Sequence, residues 1–233
     1  MVGVKICGVT RDADLETVAE AGADAVGVIA DVPVDTAREV AASEAASLLA
    51  RAPPFLTTTL VTMPESPGRA VELAEIVDPD VLQLHADFDP EGFRFLRAET
   101  GTRVVAAVGS DEPERARELA DAGVVDAVLV DSADDDGAGG TGRTHDWEHT
   151  RDLAASLSAA VVLAGGLDPA NVAEAVRTVD PYAVDVASGV ESEGGVKDGD
   201  AVRASVTASP PSRRRCRRPP FRPRPRRRRA SPR

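Results

Sequence analysis

Two side chains able to move protons stand at the ends of apolar runs. Cys7 closes GVKIC and Asp131 closes AVLVD. A thiolate is a competent base, and a carboxyl partly withdrawn from water keeps its proton toward neutrality and serves as a general acid. Each also has a plain structural reading, since a lone cysteine is commonly a small buried hydrophobe and a terminal Asp commonly a cap. If both runs are strands of one parallel barrel, Cys7 and Asp131 share its C-terminal rim, where barrel enzymes keep their catalytic groups.

Further residues belong with that rim. Gly165 and Gly166 follow the run AVVLA and precede Asp168 and Pro169, while Ser188 and Gly189 follow AVDVA. Turns without bulky side chains let backbone N–H groups face an anion, and in barrels the loops after the last two strands commonly bind phosphate. Gln83 and His85 alternate along LQLH, so both point to the same side of their strand. The acidic cluster at Asp134–Asp136 and the phrase HDWEH at 145–149 have no Cys or further His to complete a zinc site, and no metal is expected.

The elements that would position these residues alternate along the chain. Eight β-branched apolar runs fall at 3–7, 25–29, 55–62, 81–85, 104–108, 127–131, 160–164 and 183–188, with helical periodicity at 13–21, 43–51, 67–77, 91–99, 112–122, 146–156 and 169–179. Strands apolar almost throughout must be covered on both faces. Gly22 and Gly123 follow helical segments, at the left-handed position where helices stop. The reading is α/β, a single-domain (β/α)8 TIM barrel over residues 1–208; a doubly wound open sheet is the alternative with the same alternation.

The charge is split. The 233 residues carry a net charge of −12, but residues 212–233 hold twelve Arg, five Pro and no acid, so the preceding body stands at −24 with only two lysines, Lys5 and Lys197. Prolines and like charges forbid a helix there, so 209–233 is expected to be a disordered basic tail. An out-of-frame reading of GC-rich DNA yields such Arg/Pro-rich peptide, and the switch falls within the expected eighth helix, which would then lose part of its length and bare strands one and eight. An Asp-rich acidic body fits work in concentrated salt. No run of 18 apolar residues is present, the N-terminus lacks a signal-peptide pattern, and Cys7 and Cys216 make no disulfide framework, so a reducing cytoplasm is expected, with no membrane partner.

Taken in order, VKICGVT, LQLH, LVDS with GGTG and DW, LAGGLDPANV, and DVASGVE with GGVKD resemble the phosphoribosylanthranilate isomerase family of tryptophan biosynthesis, over Lys5 to Asp198. The resemblance implies a (β/α)8 barrel that performs an Amadori rearrangement of a phosphorylated substrate without metal or organic cofactor. It implies Cys7 as general base and Asp131 as general acid. Arg38, in DTAREV, would meet the anthranilate carboxylate; Gln83, His85 and Asp185 would line the substrate; Gly165, Gly166, Ser188 and Gly189 would hold the phosphate. The run 139–142 would form a mobile loop over the substrate. The context of Arg38 departs from the family's, and Ala86 stands where the family usually has Gly.

Sister barrels fit less well, because one uses two aspartates and another needs a barrel lysine at a strand's C-terminal end, a place neither Lys5 nor Lys197 takes. A nucleic-acid-binding role for the arginine tail is the reading of a different class, opposed by the body's −24, and no specific nucleic acid is expected. A monomer and a homodimer are both compatible with the sequence.

Overall fold

In the computed structural model, which describes residues 2–131 and 147–209, eight parallel strands close into a barrel in chain order. The strands are β1 (Gly3–Cys7), β2 (Ala25–Ile29), β3 (Thr57–Thr62), β4 (Val81–Leu84), β5 (Arg103–Gly109), β6 (Ala127–Asp131), β7 (Ala160–Ala164) and β8 (Ala183–Val186). The helices are α1 (Asp12–Glu20), α2 (Ala42–Leu49), α3 (Pro67–Val77), α4 (Pro90–Thr100), α5 (Pro113–Asp121), α6 (Trp147–Ser156), α7 (Val172–Val179) and α8 (Gly199–Ala208). Closure is made by β1 against β8, with Lys5 level with Asp185. The barrel is therefore the answer to the open-sheet alternative. Among the described residues, no helix is long and apolar enough to cross a membrane.

The period-2 alternation of the strands divides the core. One set of side chains, including Ile6, Val26, Leu60, Leu82, Val128, Leu163 and Val184, packs outward under the helices and is almost fully buried. The other set faces inward and is smaller or polar: Ala127, Leu129, Val162 and Ala164 cluster with Val105, Ala107, Ala160 and Ala183. Lys5, Cys7, Gln83 and Asp185 are buried as well. Helix ends follow local chemistry. Ser66 caps α3 by accepting from Arg69 N, Asp89 caps α4 through Gly92 N, and Gly101 ends α4 at φ 63°.

Most boundaries shift by a residue or two from the sequence reading, and three shifts have a local cause. The third strand begins at Thr57, because Phe55 lies in the preceding turn, 98% exposed. The seventh helix begins at Val172 rather than at Pro169. Asp168 Oδ1 accepts from the N–H groups of Ala170 and Asn171, and Asn171 Oδ1 accepts from Asp168 N, so side chains satisfy the entry turn before the helix starts. The eighth strand stops at Val186, and Ser188–Val190 winds into a 3-10 turn. That turn leads into a small antiparallel hairpin, β9 (Glu191–Glu193) and β10 (Val196–Lys197), which the sequence did not announce.

The last helix is also better formed than expected. Asp198 caps α8 by accepting from Asp200 N and Ala201 N, and Val202 and Ser205 bury against the barrel. Val2, Val4, Ile6, Val184 and Val186 are all buried, so strands one and eight are covered rather than bared. The expected basic tail beyond Ser209 and the expected loop at 139–142, with Asp134–Asp136, lie outside the described residues.

Candidate active site

The first strand ends on Cys7 and the turn Gly8, whose φ of 75° suits a residue without a side chain. Cys7 is buried, and inside the barrel it meets Lys5 and Gly27. A Cβ placed on Gly27 would lie 2.9 Å from Cys7 Sγ and 3.0 Å from Lys5 Nζ, so the glycine opens the space in which these two atoms converge. Lys5 Nζ donates to Asp185 Oδ2 at 2.7 Å, and both residues are more than nine-tenths buried. The other carboxylate oxygen, Asp185 Oδ1, has no hydrogen-bond partner. Burial works against the Lys5 charge, but Asp185 beside it raises the ammonium above its ordinary range. Burial pushes the Cys7 thiol up, with Lys5 opposing.

Across the barrel, Asp131 sits half-buried at the end of β6, level with Gly109 on β5 and Ala164 on β7. A cleft of about 380 Å³ opens there, lined by Asp131, His85, Glu112 and Arg115 among others. Gln83 Nε2 lies 3.1 Å from His85 Nε2, pairing the amide with the imidazole ring. Burial lowers the affinity of His85 for a second proton, although Asp131 nearby favours it. His85 is thus held neutral and oriented.

The turns after β7 and β8 meet. Gly165 and Gly166 adopt φ of 91° and 61°, and Asn171 Nδ2 donates to Gly166 O, tying the turn to the start of the following helix. A Cβ on Gly189 would stand 2.0 Å from Leu167 O, so only glycine allows the Ser188–Val190 turn to press against this loop. The two turns thus lie against each other, with Gly165, Ser188 and Gly189 half-exposed and Gly166 exposed, backbone of the kind that can present N–H donors to an anion.

Arg38 reaches the same rim. Its stem crosses Gly8, where a Cβ would lie 2.9 Å from Arg38 Cδ. Its guanidinium is gripped by Glu191, with Nε to Oε1 at 2.9 Å and Nη2 to Oε2 at 2.8 Å, and Lys197 Nζ donates to the same carboxylate at 2.7 Å. Burial alone would raise Glu191, but hydrogen bonds from Arg38 and Lys197 overcome it and hold the carboxyl below its usual range. Gly195 approaches so closely that a Cβ would lie 2.4 Å from Ala37 O, and Thr10 Oγ1 donates to Gly195 O. The hairpin thereby locks the Arg38 loop to the β1 turn.

Every site residue named from the sequence is therefore on this rim or just beneath it. Sequence reasoning missed two, Lys5 and Glu191. Lys5 was set aside because it is not at a strand's end, yet its long side chain delivers the ammonium to Cys7. The signal for Lys5 was its parity with Cys7 on a strand otherwise apolar. For Glu191 it was an acid directly after the Ser188–Gly189 turn.

Fold and rim define the class, a (β/α)8-barrel enzyme with titratable side chains at the C-terminal ends of its strands. The family model for N-(5′-phosphoribosyl)anthranilate isomerase matches residues 4–208. A relative of that name from Haloferax volcanii is 61% identical over 213 residues, covering 91% of this chain and 95% of the relative. Another from Halobacterium salinarum is 54% identical, covering 90% and 98%. Among solved structures, phosphoribosyl anthranilate isomerase from Thermotoga maritima superposes with a TM-score of 0.80 at 32% identity, covering 90% of this chain and 98% of that one. A structure of phosphoribosyl anthranilate isomerase in complex with reduced 1-(o-carboxyphenylamino)-1-deoxyribulose 5-phosphate superposes at 0.75, with 32% identity and the same coverage. The chain belongs to the N-(5′-phosphoribosyl)anthranilate isomerase family, whose members are aldose–ketose isomerases of tryptophan biosynthesis.

Proposed function

We propose that this chain converts N-(5′-phosphoribosyl)anthranilate to 1-(2-carboxyphenylamino)-1-deoxyribulose 5-phosphate, with Asp131 as general acid and Cys7 as general base. The reading rests on one observation above the others: a thiol and a carboxyl stand at strand ends on one rim, beside glycine turns that meet after the last two strands. The 5′-phosphate would sit against those turns, at Gly165, Gly166, Ser188 and Gly189, and Arg38 would face the anthranilate carboxylate through the part of its fork not taken by Glu191. Asp131 protonates the furanose ring oxygen, and the C1–O bond breaks to give the protonated Schiff base. The Cys7 thiolate then takes the C2 proton, and its electron pair forms the enolamine, which tautomerises to the ketone.

Gln83, His85 and Asp185 line the space between. Neutral His85 lies close to Asp131 and offers a ring N–H or accepts a substrate hydroxyl, without adding a cation beside the proton donor. Asp185 Oδ1, buried and unpartnered in the free enzyme, is satisfied by a substrate O–H or N–H. All these groups come from one chain, so a monomer and a homodimer serve equally, and a reducing cytoplasm keeps Cys7 a thiol.

The test is turnover of Cys7→Ala and Asp131→Asn, followed by loss of substrate fluorescence in concentrated KCl, together with rescue of a tryptophan auxotroph lacking this isomerase. Each substitution is expected to lower kcat by roughly 10²- to 10⁴-fold while the protein stays folded. Retention of more than about a tenth of wild-type turnover by either variant would remove that residue from its role.

A further inference from the structure

The buried ion pair beneath the site has work to do that packing does not explain. A charged pair inside a barrel carries a desolvation cost that well-packed apolar side chains of the same volume avoid, so its presence is weak evidence for a stabilising role. Lys5 Nζ spends one donor on Asp185 Oδ2 at 2.7 Å, and its ammonium converges with Cys7 Sγ over Gly27. We propose that Lys5 is a positioning residue for the base: anchored by Asp185, its fixed ammonium orients the Cys7 sulfur and stabilises it as the thiolate that accepts the C2 proton. This rests on Cys7 being the base.

Other charges face the sulfur from neighbouring elements, and they are otherwise engaged. Lys197, on β10, donates to Glu191 Oε1 at 2.7 Å and to Ala187 O at 3.1 Å. Arg38, in the loop after β2, is forked onto Glu191. His85, just after β4, has its affinity for a second proton lowered by burial, and Asp131 stands on β6, three strands away around the barrel. Asp185, on β8, opposes the thiolate while it fixes Lys5. Lys5 is thus the cation that shares the space over Gly27 with the sulfur. The charge accounting is simple: Lys5 keeps all three protons throughout, and transfer of the C2 proton turns the thiolate into a neutral thiol, leaving Lys5 and Asp185 as a balanced pair. Lys5 orders the base without itself carrying a proton.

The experiment titrates the Cys7 thiol directly by ultraviolet thiolate absorbance, in full-length protein carrying Cys216→Ser so that a single thiol remains, alongside the acid limb of kcat/KM. Lys5→Met should move both midpoints up by more than about one pH unit, and Asp185→Asn, which removes the opposing carboxylate, should move the thiol midpoint down. A merely structural pair would lower activity in both variants without shifts of opposite sign. An unmoved midpoint, or movement in the same direction in both, overturns the inference. Should Lys5→Met fail to fold, Lys5→Gln decides in its place, with an upward shift of the thiol midpoint supporting the role and no shift or a downward one refuting it. Failure of the base assignment is read separately: Cys7→Ala would keep its turnover, whatever the titration shows of Lys5.

Discussion

At the scale of single residues, the barrel interior concentrates its energetics in a few polar groups. The exposed pairs one helical turn apart, such as Arg94 with Glu91, contribute about 0–1 kcal/mol each, whereas breaking a buried pair leaves an uncompensated charge. Asp185→Ala is therefore expected to lower unfolding free energy by about 3–5 kcal/mol in denaturant titration, and Glu91→Ala by less than about 1 kcal/mol. His85 gives a pH signature of known sign. Its folded affinity for protons is below that of the unfolded chain, so the unfolded state takes up more protons as pH falls through about 6.5, and stability drops there. Unfolding midpoints measured across that range at fixed salt should fall toward acid, and His85→Gln should flatten the slope.

At the scale of elements, the hairpin after β8 fixes the loop that carries Arg38. Its grip depends on Glu191 being charged, and the depressed carboxyl keeps it so down to below the ordinary Glu range. Glu191→Gln retains the shape but removes the charge behind the hydrogen bonds that Arg38 and Lys197 donate, and turns one acceptor into a donor. Its expected effect is a rise in KM of about tenfold with kcat little changed, because Arg38 loses orientation while Cys7 on β1 and Asp131 on β6 stay put. The turns after β7 and β8 depend instead on close backbone approach. Since a Cβ on Gly189 would stand 2.0 Å from Leu167 O, Gly189→Ala must displace one turn from the other. Competition by inorganic phosphate, measured as an inhibition constant, should weaken in that variant.

At the scale of the whole molecule, the opposing charges define two more expectations. The matched relatives from Haloferax volcanii and Halobacterium salinarum come with a body here of −24, whose self-repulsion is screened within about 3 Å at molar salt. The melting temperature should rise between low salt and molar KCl, as read by circular dichroism. The family match ends at residue 208, and α8 is capped by Asp198, buries Val202 and Ser205 and ends at Ala208. We therefore propose residues 1–208 as the catalytic unit and 209–233 as dispensable, whether genuine or a frameshift product. A chain ending at Pro211 should melt and turn over as the full-length protein does.

Much of this was legible in the linear order of residues. Alternating apolar runs and helical periods specify a parallel sheet covered on both faces, and the strand-end positions of Cys7, Asp131, Gly165, Gly166, Ser188 and Gly189 mark the rim, because a strand's direction assigns its ends locally. Periodicity of two also placed Gln83 with His85. What it cannot supply is distance between residues far apart in the chain. Barrel closure puts Lys5 level with Asp185, 180 positions away, and the hairpin brings Glu191 onto Arg38 across 153. Charges matter over a few ångströms in a medium that burial makes poorly polarisable. The sequence by itself determined which residues could do the chemistry and on which face they stand; only the closed barrel decided which charge lies against the thiol.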